Sequence, residues 1–458
     1  MITSRIVVFL IFLSPLVGCS PNQKKARLKI ESGMAIVLKA GVLDRWYPQS
    51  FDTAYGGFLT TFTFDFKPVG EQDKMIVTQA RHTWTNAKAA LLYPGIDYFL
   101  KGSRHGFEFL KAAMWDSVNG GFYTLVDRAV NVRKNDSIKT AYGNAFGIFA
   151  LAAYYELSKD TFALNLAKDA FHWLEQHSHD PKYKGYFQHL NRNGTPVQRQ
   201  SGTPSTAETG FKDQNSSIHL LEAFTELYQV WPDDLLRIRL NEMLVLIRDT
   251  IVTPKGYLTL FLHPDWTPVS YSDSTDSVIM KHHFLDHVSF GHDVETAYLM
   301  MEASQVLGLK NDAATTMVAK RMVDHALRNG WDETAGGFYD EGYYFKDKPG
   351  MTIIRDTKNW WAQAEGLNTL LIMADMYPED PLMYFSKFEL LWQYADKNLI
   401  DHQNGDWFSG GIDKQPEMKT ALKGNIWKAC YHQYRSLSNC LQRLKKDKKE
   451  DSTSAGKF

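Results

Sequence analysis

The sequence of 458 residues predicts an all-α fold, an (α/α)6 barrel of six inner and six outer helices with short β-hairpins at one end. Three observations predict it. Apolar residues recur three and four apart through long stretches such as Ala145 to Leu157 and Ile218 to Val230, the spacing of one helix face. A glycine-aromatic turn returns six times between such stretches, at intervals of roughly 64 to 81 residues. Neither end of the series carries the polar capping repeat that a linear helical solenoid needs, so the repeats are expected to close into a ring.

The turns are Tyr55-Gly56-Gly57-Phe58, Asn119-Gly120-Gly121-Phe122-Tyr123, Lys184-Gly185-Tyr186-Phe187, Lys255-Gly256-Tyr257-Leu258, Ala335-Gly336-Gly337-Phe338-Tyr339 and Asn404-Gly405-Asp406-Trp407-Phe408. Each interval has room for two helices of about 12 to 18 residues and a connection whose glycines take backbone angles denied to other residues. Six pairs make twelve helices. The β-prone pieces Phe58 to Phe64 and Tyr257 to Phe261 are expected to form the hairpins.

The ends of the chain read differently. Arg5 precedes an apolar run from Ile6 to Leu13, too short to span a bilayer as a mature helix, and small residues lead into Leu16-Val17-Gly18-Cys19. Residues 1–18 therefore read as a signal peptide. Leu-Val-Gly-Cys resembles the bacterial lipobox, which implies lipid on the Cys19 thiol and a tether outside the cytoplasm; a cleaved secretory peptide without lipid is the plainer alternative. Residues 19–28 are then a linker, 29–444 the barrel, and 445–458, rich in Lys, Asp and Ser, a disordered charged tail. After Cys19 only Cys430 and Cys440 remain, too few for a disulfide framework, and whether these two pair is left open.

With 44% hydrophobic and 22% charged residues and a formal net charge of -1, the composition shows no bias toward phosphate backbones or anionic membranes. Nucleic acid is not an expected partner, and membrane contact is expected only through the anchor. The 12 tryptophans matter more, because flat rings stack on the C–H faces of sugars as readily as they fill cores.

Candidate chemistry lies where predicted helices follow loops. In Ser289-Phe290-Gly291-His292-Asp293-Val294-Glu295, His292 and Glu295 are three apart on one helix face, where a carboxylate can take the imidazole proton and raise its basicity. His432 lies in Trp427-Lys428-Ala429-Cys430-Tyr431-His432-Gln433-Tyr434-Arg435, with Arg435 one turn on, and His219 follows Asn215 by one helical turn. Each alone reads as a structural histidine. The repeat gives them weight, because it gathers distant segments around one cavity. A second cluster, His283, Asp286 and His287, suggests a metal site by spacing, yet it lacks the zinc-peptidase glutamate and reads as well as a polar loop.

Five segments carry a resemblance: Gln79-Ala80-Arg81-His82-Thr83-Trp84, Asn215 to Ala223, Phe290 to Glu295, Trp360-Trp361-Ala362-Gln363-Ala364-Glu365 and Trp427 to Arg435. In this order they resemble the N-acylglucosamine 2-epimerase superfamily, and within it most the cellobiose and mannobiose 2-epimerases. The resemblance implies an (α/α)6 barrel, a reducing mono- or disaccharide as substrate, and no metal or nucleotide cofactor. It implies His292 and His432 as the acid/base pair at carbon 2, Glu295 in support of His292, and Arg81 and His219 on the sugar oxygens. It also implies Asn215, Tyr142, Trp361 and Trp427 as substrate-binding residues. Phe146 is an alternative to Tyr142, and Trp360 to Trp361.

The chemistry asks for the same residue types. A reducing sugar must open to its aldehyde before the carbon-2 hydrogen becomes acidic. Histidine, with an unperturbed pKa of about 6.5, moves protons in both directions near neutrality. The enediolate that follows needs a fixed positive donor, for which Arg81 is the candidate. Two bases on opposite walls invert carbon 2, whereas one base passing the proton to carbon 1 gives a ketose. N-acylglucosamine or mannose as substrate is an alternative within the superfamily. The rivals outside it are a glycoside hydrolase, which would draw two carboxylates from Asp213, Glu295, Asp340 and Glu365, and a non-catalytic sugar-binding lipoprotein.

Overall fold

The computed structural model describes residues 21–131 and 138–454. Twelve long helices alternate outward and inward. The outer ones are α1 (Pro21–Ile36, continuing through π-helical Val37–Leu43 to Asp44–Trp46), α3 (Asp97–Phe109), α5 (Thr161–His177), α7 (Asp234–Leu246), α9 (Ala313–Asn329) and α11 (Tyr384–Asn398). The inner ones are α2 (Ile76–Leu92), α4 (Ala141–Ser158), α6 (Gln214–Val230), α8 (Phe290–Val306), α10 (Trp360–Met376) and α12 (Tyr431–Ser454). Each inner helix packs on the next, and α12 returns to α2, which closes the ring. The outer layer closes with a permutation: α1 packs on α12, so the first helix of the chain pairs with the last.

Burial explains which layer a helix joins. Inner helices are buried almost all round, as α4 is from Ala141 to Tyr154, because they face the outer layer on one side and the lumen on the other. Outer helices bury one stripe: in α5 only Ala163, Ala167, Ala170, Phe171, Trp173 and Leu174 are buried. Caps start several of them. Asp160, Asp213, Asp233 and Asp312 each accept backbone N–H groups of the helix that follows.

The glycine-aromatic turns require left-handed backbone. Gly56, Gly57, Gly120, Gly121, Gly336 and Gly337 all have positive φ; in the third and sixth turns Lys184 or Asp406 takes one of the two left-handed places, and in the fourth Gly256 alone is left-handed. In five of the six turns a buried ion pair then fastens the turn to the segment that leads into its inner helix. Asp52–Lys74, Asp116–Lys139, Asp180–Lys212, Asp332–Lys358 and Asp401–Lys423 stand 2.8 to 3.0 Å apart, with side chains at most 8% exposed. In every pair the second carboxylate oxygen accepts backbone N–H groups within the turn. The fourth turn has Thr253 in the aspartate's place and no such pair among the described residues.

Three expectations need correction. The strands β1 (Lys74–Met75), β3 (Ile138–Thr140), β5 (Lys212–Asp213) and β7 (Val288–Ser289) lead into inner helices, and pair antiparallel with a strand of the next repeat: β2 (Leu125–Val126), β4 (His189–Asn191), β6 (Phe261–Leu262) and β8 (Glu341–Tyr343). They tie neighbours together rather than forming local hairpins. Phe58 to Phe64 makes only single bridges, and the one hairpin of named strands is β8 with β9 (Thr352–Arg355). Helix α1 begins at Pro21, inside the stretch 19–28 read as a linker, where Arg27 is buried and bonds Asp375 at 2.7 Å. Helix α12 runs to Ser454, past the 444 boundary, so a lysine-rich composition did not stop it. The signal peptide, Cys19 and residues 455–458 lie outside the described residues. Cys430 and Cys440 are buried and unpaired with each other. No described helix is long and apolar enough to cross a membrane.

Candidate active site

The common start of the inner helices puts equivalent positions in one layer of the lumen. The sixth residue of each of the first five inner helices, and the fifth of the last, are Arg81, Phe146, His219, Glu295, Glu365 and Arg435. His292 and His432 lie nearer the open end, in the first turn of α8 and α12.

Trp361 stands between these two histidines. Its ring lies 4.7 Å from that of His292 and 5.9 Å from that of His432. Gly291 makes this possible: a Cβ there would stand 2.6 Å from that of Ala362 and 2.8 Å from the Trp361 ring, so only glycine admits the indole. Trp360 points elsewhere, toward Lys428, whose Nζ lies 5.5 Å from its ring.

His432 is 7% exposed, and its Nδ1 lies 2.8 Å from Glu365 Oε1. A carboxylate can only accept here, so Nδ1 carries the proton and Nε2 keeps its lone pair. Burial, then the positive charge of Arg81, holds the His432 pKa well below the usual value. His292 is also neutral: burial, opposed by Glu295, lowers its pKa to about 4. Its Nδ1 lies 2.8 Å from Ser289 Oγ, and a hydroxyl serves either tautomer.

The pairing of His292 with Glu295 read from sequence is therefore not the bond that forms. Glu295 reaches His292 as a charge only, and its carboxylate is taken by Arg435. The same three-residue spacing does make the bond at His219, whose Nδ1 lies 2.8 Å from Glu222 Oε2. Arg435 is the hub of this floor: it binds Glu222, Glu295 and Glu365, and Tyr431 also donates to Glu222. Burial pushes the Glu222 carboxyl up, but Arg435 and His219 outweigh it and hold it at about 2.

Arg81 closes the opposite wall. It donates to the Trp427 carbonyl and to the Tyr142 hydroxyl, 3.2 Å each, and lies 4.6 and 4.9 Å over the rings of Phe146 and Tyr431. Its Nε is buried without a hydrogen-bond partner among the described residues. Tyr142 and Phe146 both flank His219, at 5.2 and 4.8 Å, so both rings of that alternative line the site. Asn215 bonds the Tyr142 hydroxyl, and Trp427, 55% exposed, stands at the mouth.

Residues proposed for other chemistries are engaged elsewhere. Asp213 caps α6 and Asp340 accepts from Thr357 and from the Asn359 amide. His283 Nδ1 donates to the Met280 carbonyl, His287 Nδ1 to the His283 carbonyl, and Asp286 accepts from Tyr271 and Tyr343, so these three do not converge. Among the described residues Glu295, Glu365 and His432 do bring ligand-type atoms within 4.8 Å of one another, but the Arg435 guanidinium already binds both carboxylates. Ser289, Glu222 and Tyr431 had no assigned role in the sequence reading. Glu365 was weighed there only as a hydrolase carboxylate.

Residues 56–436 match the model of the N-acylglucosamine 2-epimerase (GlcNAc 2-epimerase) family. The chain belongs to that family. It is a carbohydrate epimerase, an isomerase. The cellobiose 2-epimerase of Bacteroides fragilis is 26% identical over 426 residues, 89% of this chain and 96% of the relative. That of Ruminococcus albus is 28% identical over 403 residues, 86% and 93% of the two chains. The solved cellobiose 2-epimerase of Spirochaeta thermophila superposes with a TM-score of 0.77 at 26% identity, covering 93% of this chain and 99% of its own. All five motif segments lie within the matched span, and the 2-epimerase barrel is the fold described above.

Proposed function

We propose that the protein inverts carbon 2 of the reducing-end residue of a cellobiose- or mannobiose-like disaccharide, with His292 and His432 as the proton-transfer pair. The observation that carries this reading is the placement of two neutral imidazoles on either side of Trp361. Arg81 and His219 hold the sugar oxygens while the ring opens to the aldehyde. One imidazole takes the carbon-2 proton, and the electron pair of that C–H bond moves into a C1–C2 double bond, placing negative charge on the carbon-1 oxygen. Arg81, with an unused buried N–H, stabilises that oxygen. The other imidazole, neutral at rest, picks up a solvent proton and delivers it to the opposite face of carbon 2, and the first then releases the abstracted proton to solvent. The names of the relatives support the disaccharide.

The test is NMR of carbon 2 in heavy water with cellobiose, mannobiose, mannose and N-acetylglucosamine. Inversion with deuterium gained at carbon 2 is expected, and a fall of kcat on the order of 10²- to 10⁴-fold in His292→Ala and in His432→Ala. Ketose formation or glycosidic cleavage without inversion would overturn the reading.

We also propose that the chain is exported and lipidated at Cys19, a reading supported by Leu16-Val17-Gly18-Cys19. Mass spectrometry of the N-terminal peptide from membranes is expected to show acylated Cys19, absent in Cys19→Ala.

A further inference from the structure

The proton-transfer site uses the open end of the barrel. A second cavity of about 230 Å³ lies at the other end, among the C-terminal halves of the inner helices. It reaches from Trp84 and Lys88 on α2 to Glu226 on α6, Tyr298 and Glu302 on α8, and the stretch Tyr434 to Arg443 on α12. Arg435 belongs to both ends, as floor of the proton-transfer site and wall of this cavity.

Three features define what fits. The first is charge pairing: of the cations that line the cavity, Arg435 already binds Glu222, Glu295 and Glu365 and Arg443 stands 3.8 Å from Asp375, so neither cation nor anion is selected. Lys88 already ion-pairs with Glu156 and Glu226, and these carboxylates do not converge as metal ligands. The second is a mixed wall in which the rings of Trp84, Tyr298 and Tyr434 stand beside side-chain amides and the Ser438 hydroxyl, so that apolar surface and hydrogen-bond partners for hydroxyls occur together. The third is an unmet donor. Trp84 is 6% exposed, lines the cavity, and its indole N–H has no hydrogen-bond partner among the described residues. A buried N–H left without an acceptor costs free energy that a ligand oxygen would recover. The volume is below the roughly 300 Å³ at which pockets for drug-sized molecules begin, so a single sugar ring fits and a disaccharide does not.

We propose that this cavity is a second carbohydrate site, taking one neutral monosaccharide, and that its occupancy is transmitted through Arg435 and Glu365 to His432. The path is three contacts long. A sugar hydroxyl against Arg435 competes for the guanidinium that binds Glu365, and Glu365 holds His432 Nδ1. The effect therefore falls on kcat.

The test uses methyl α-mannopyranoside and methyl α-glucopyranoside, whose locked rings cannot open and so cannot be epimerised, on the full chain. Saturable binding of one of them is expected by calorimetry, with Kd on the order of 1 mM. Gln229→Trp, at the exposed rim of the cavity, is expected to weaken binding about tenfold or more, a loss of about 1.4 kcal/mol or more. Glu302→Gln, which adds no bulk, is expected to weaken it several-fold. Arg81→Ala, at the other end of the barrel, is expected to leave it unchanged, and the glycoside is expected to alter wild-type kcat without competing with substrate. Binding lost in Arg81→Ala and kept in Gln229→Trp would place the sugar in the proton-transfer site and overturn the proposal, as would no saturable binding. The readout is binding of a non-substrate, so it stands or falls apart from the disaccharide reading above.

Discussion

Ahead of α12, which carries His432, two buried lysines fasten the chain: Lys423 bonds Asp401 at 2.8 Å and Lys428 bonds Asp406 at 3.1 Å. Ahead of α8, which carries His292, Thr253 and Val288 take the places that an aspartate and a lysine hold before α2, α4, α6 and α10. The imidazoles differ in the same sense, His432 being held by a carboxylate and His292 by a hydroxyl. One of the two imidazoles proposed to move the proton thus sits on the most heavily pinned helix start and the other on the start without a pin.

The sharpest contrast is expected in catalysis. Glu365→Gln removes the charge that fixes the His432 tautomer, and kcat is expected to fall on the order of 10²- to 10⁴-fold with little change in KM, as in other oriented imidazoles. Ser289→Ala removes a partner that permits either tautomer, and about a tenfold fall, near 1.4 kcal/mol, is expected. Steady-state rates in both epimerisation directions check this. Equal losses in the two variants would break the comparison.

Stability should follow the pins. Lys428→Met leaves Asp406 buried at 1% exposure against Gln433 with its cation gone, and a loss of about 3 to 5 kcal/mol is expected by urea unfolding. Substitution of Val288 by leucine, which removes no charge, is expected to change stability by less than about 1.5 kcal/mol.

How much of this was legible follows from where each contact lies along the chain. The ring and its twelve helices were readable because the glycine-aromatic turn and the helical apolar spacing are local. The gathering of Arg81, His219, His292 and His432 followed from the repeat and the resemblance together. The aspartates of the pins were also in view, four residues before Gly56, Gly120, Lys184, Gly336 and Gly405, and went unread because their lysines lie 22 to 32 residues away. The partner of His292 was misread because spacing alone cannot tell His219–Glu222 from His292–Glu295. The difference comes from the Arg435 side chain, 140 residues from Glu295, and from Ser289 before the helix. Cross-repeat strand pairing was hidden for the same reason: its partners are set by ring closure.

The smallest expected effect asks whether the fourth turn has lost a pair of side chains or the geometry that held them. Phe51 bridges Phe58 across the first turn, and Val252 bridges Leu258 across the fourth, so the fourth turn is one residue shorter between equivalent bridges. A shortened turn places the first position differently against the helix start, and an ion pair there needs both ends in register. In a double-mutant cycle, Asp332→Ala with Lys358→Met is expected to show coupling of about 2 to 3 kcal/mol, because each single change strands a buried charge that the double change removes. The reverse cycle, Thr253→Asp with Val288→Lys, is expected to couple by less than about 0.5 kcal/mol. Coupling above 1 kcal/mol in that cycle, read from urea unfolding, would mean that the frame at α8 is intact and that only the side chains were exchanged; His292 would then owe nothing of its setting to the shortened turn.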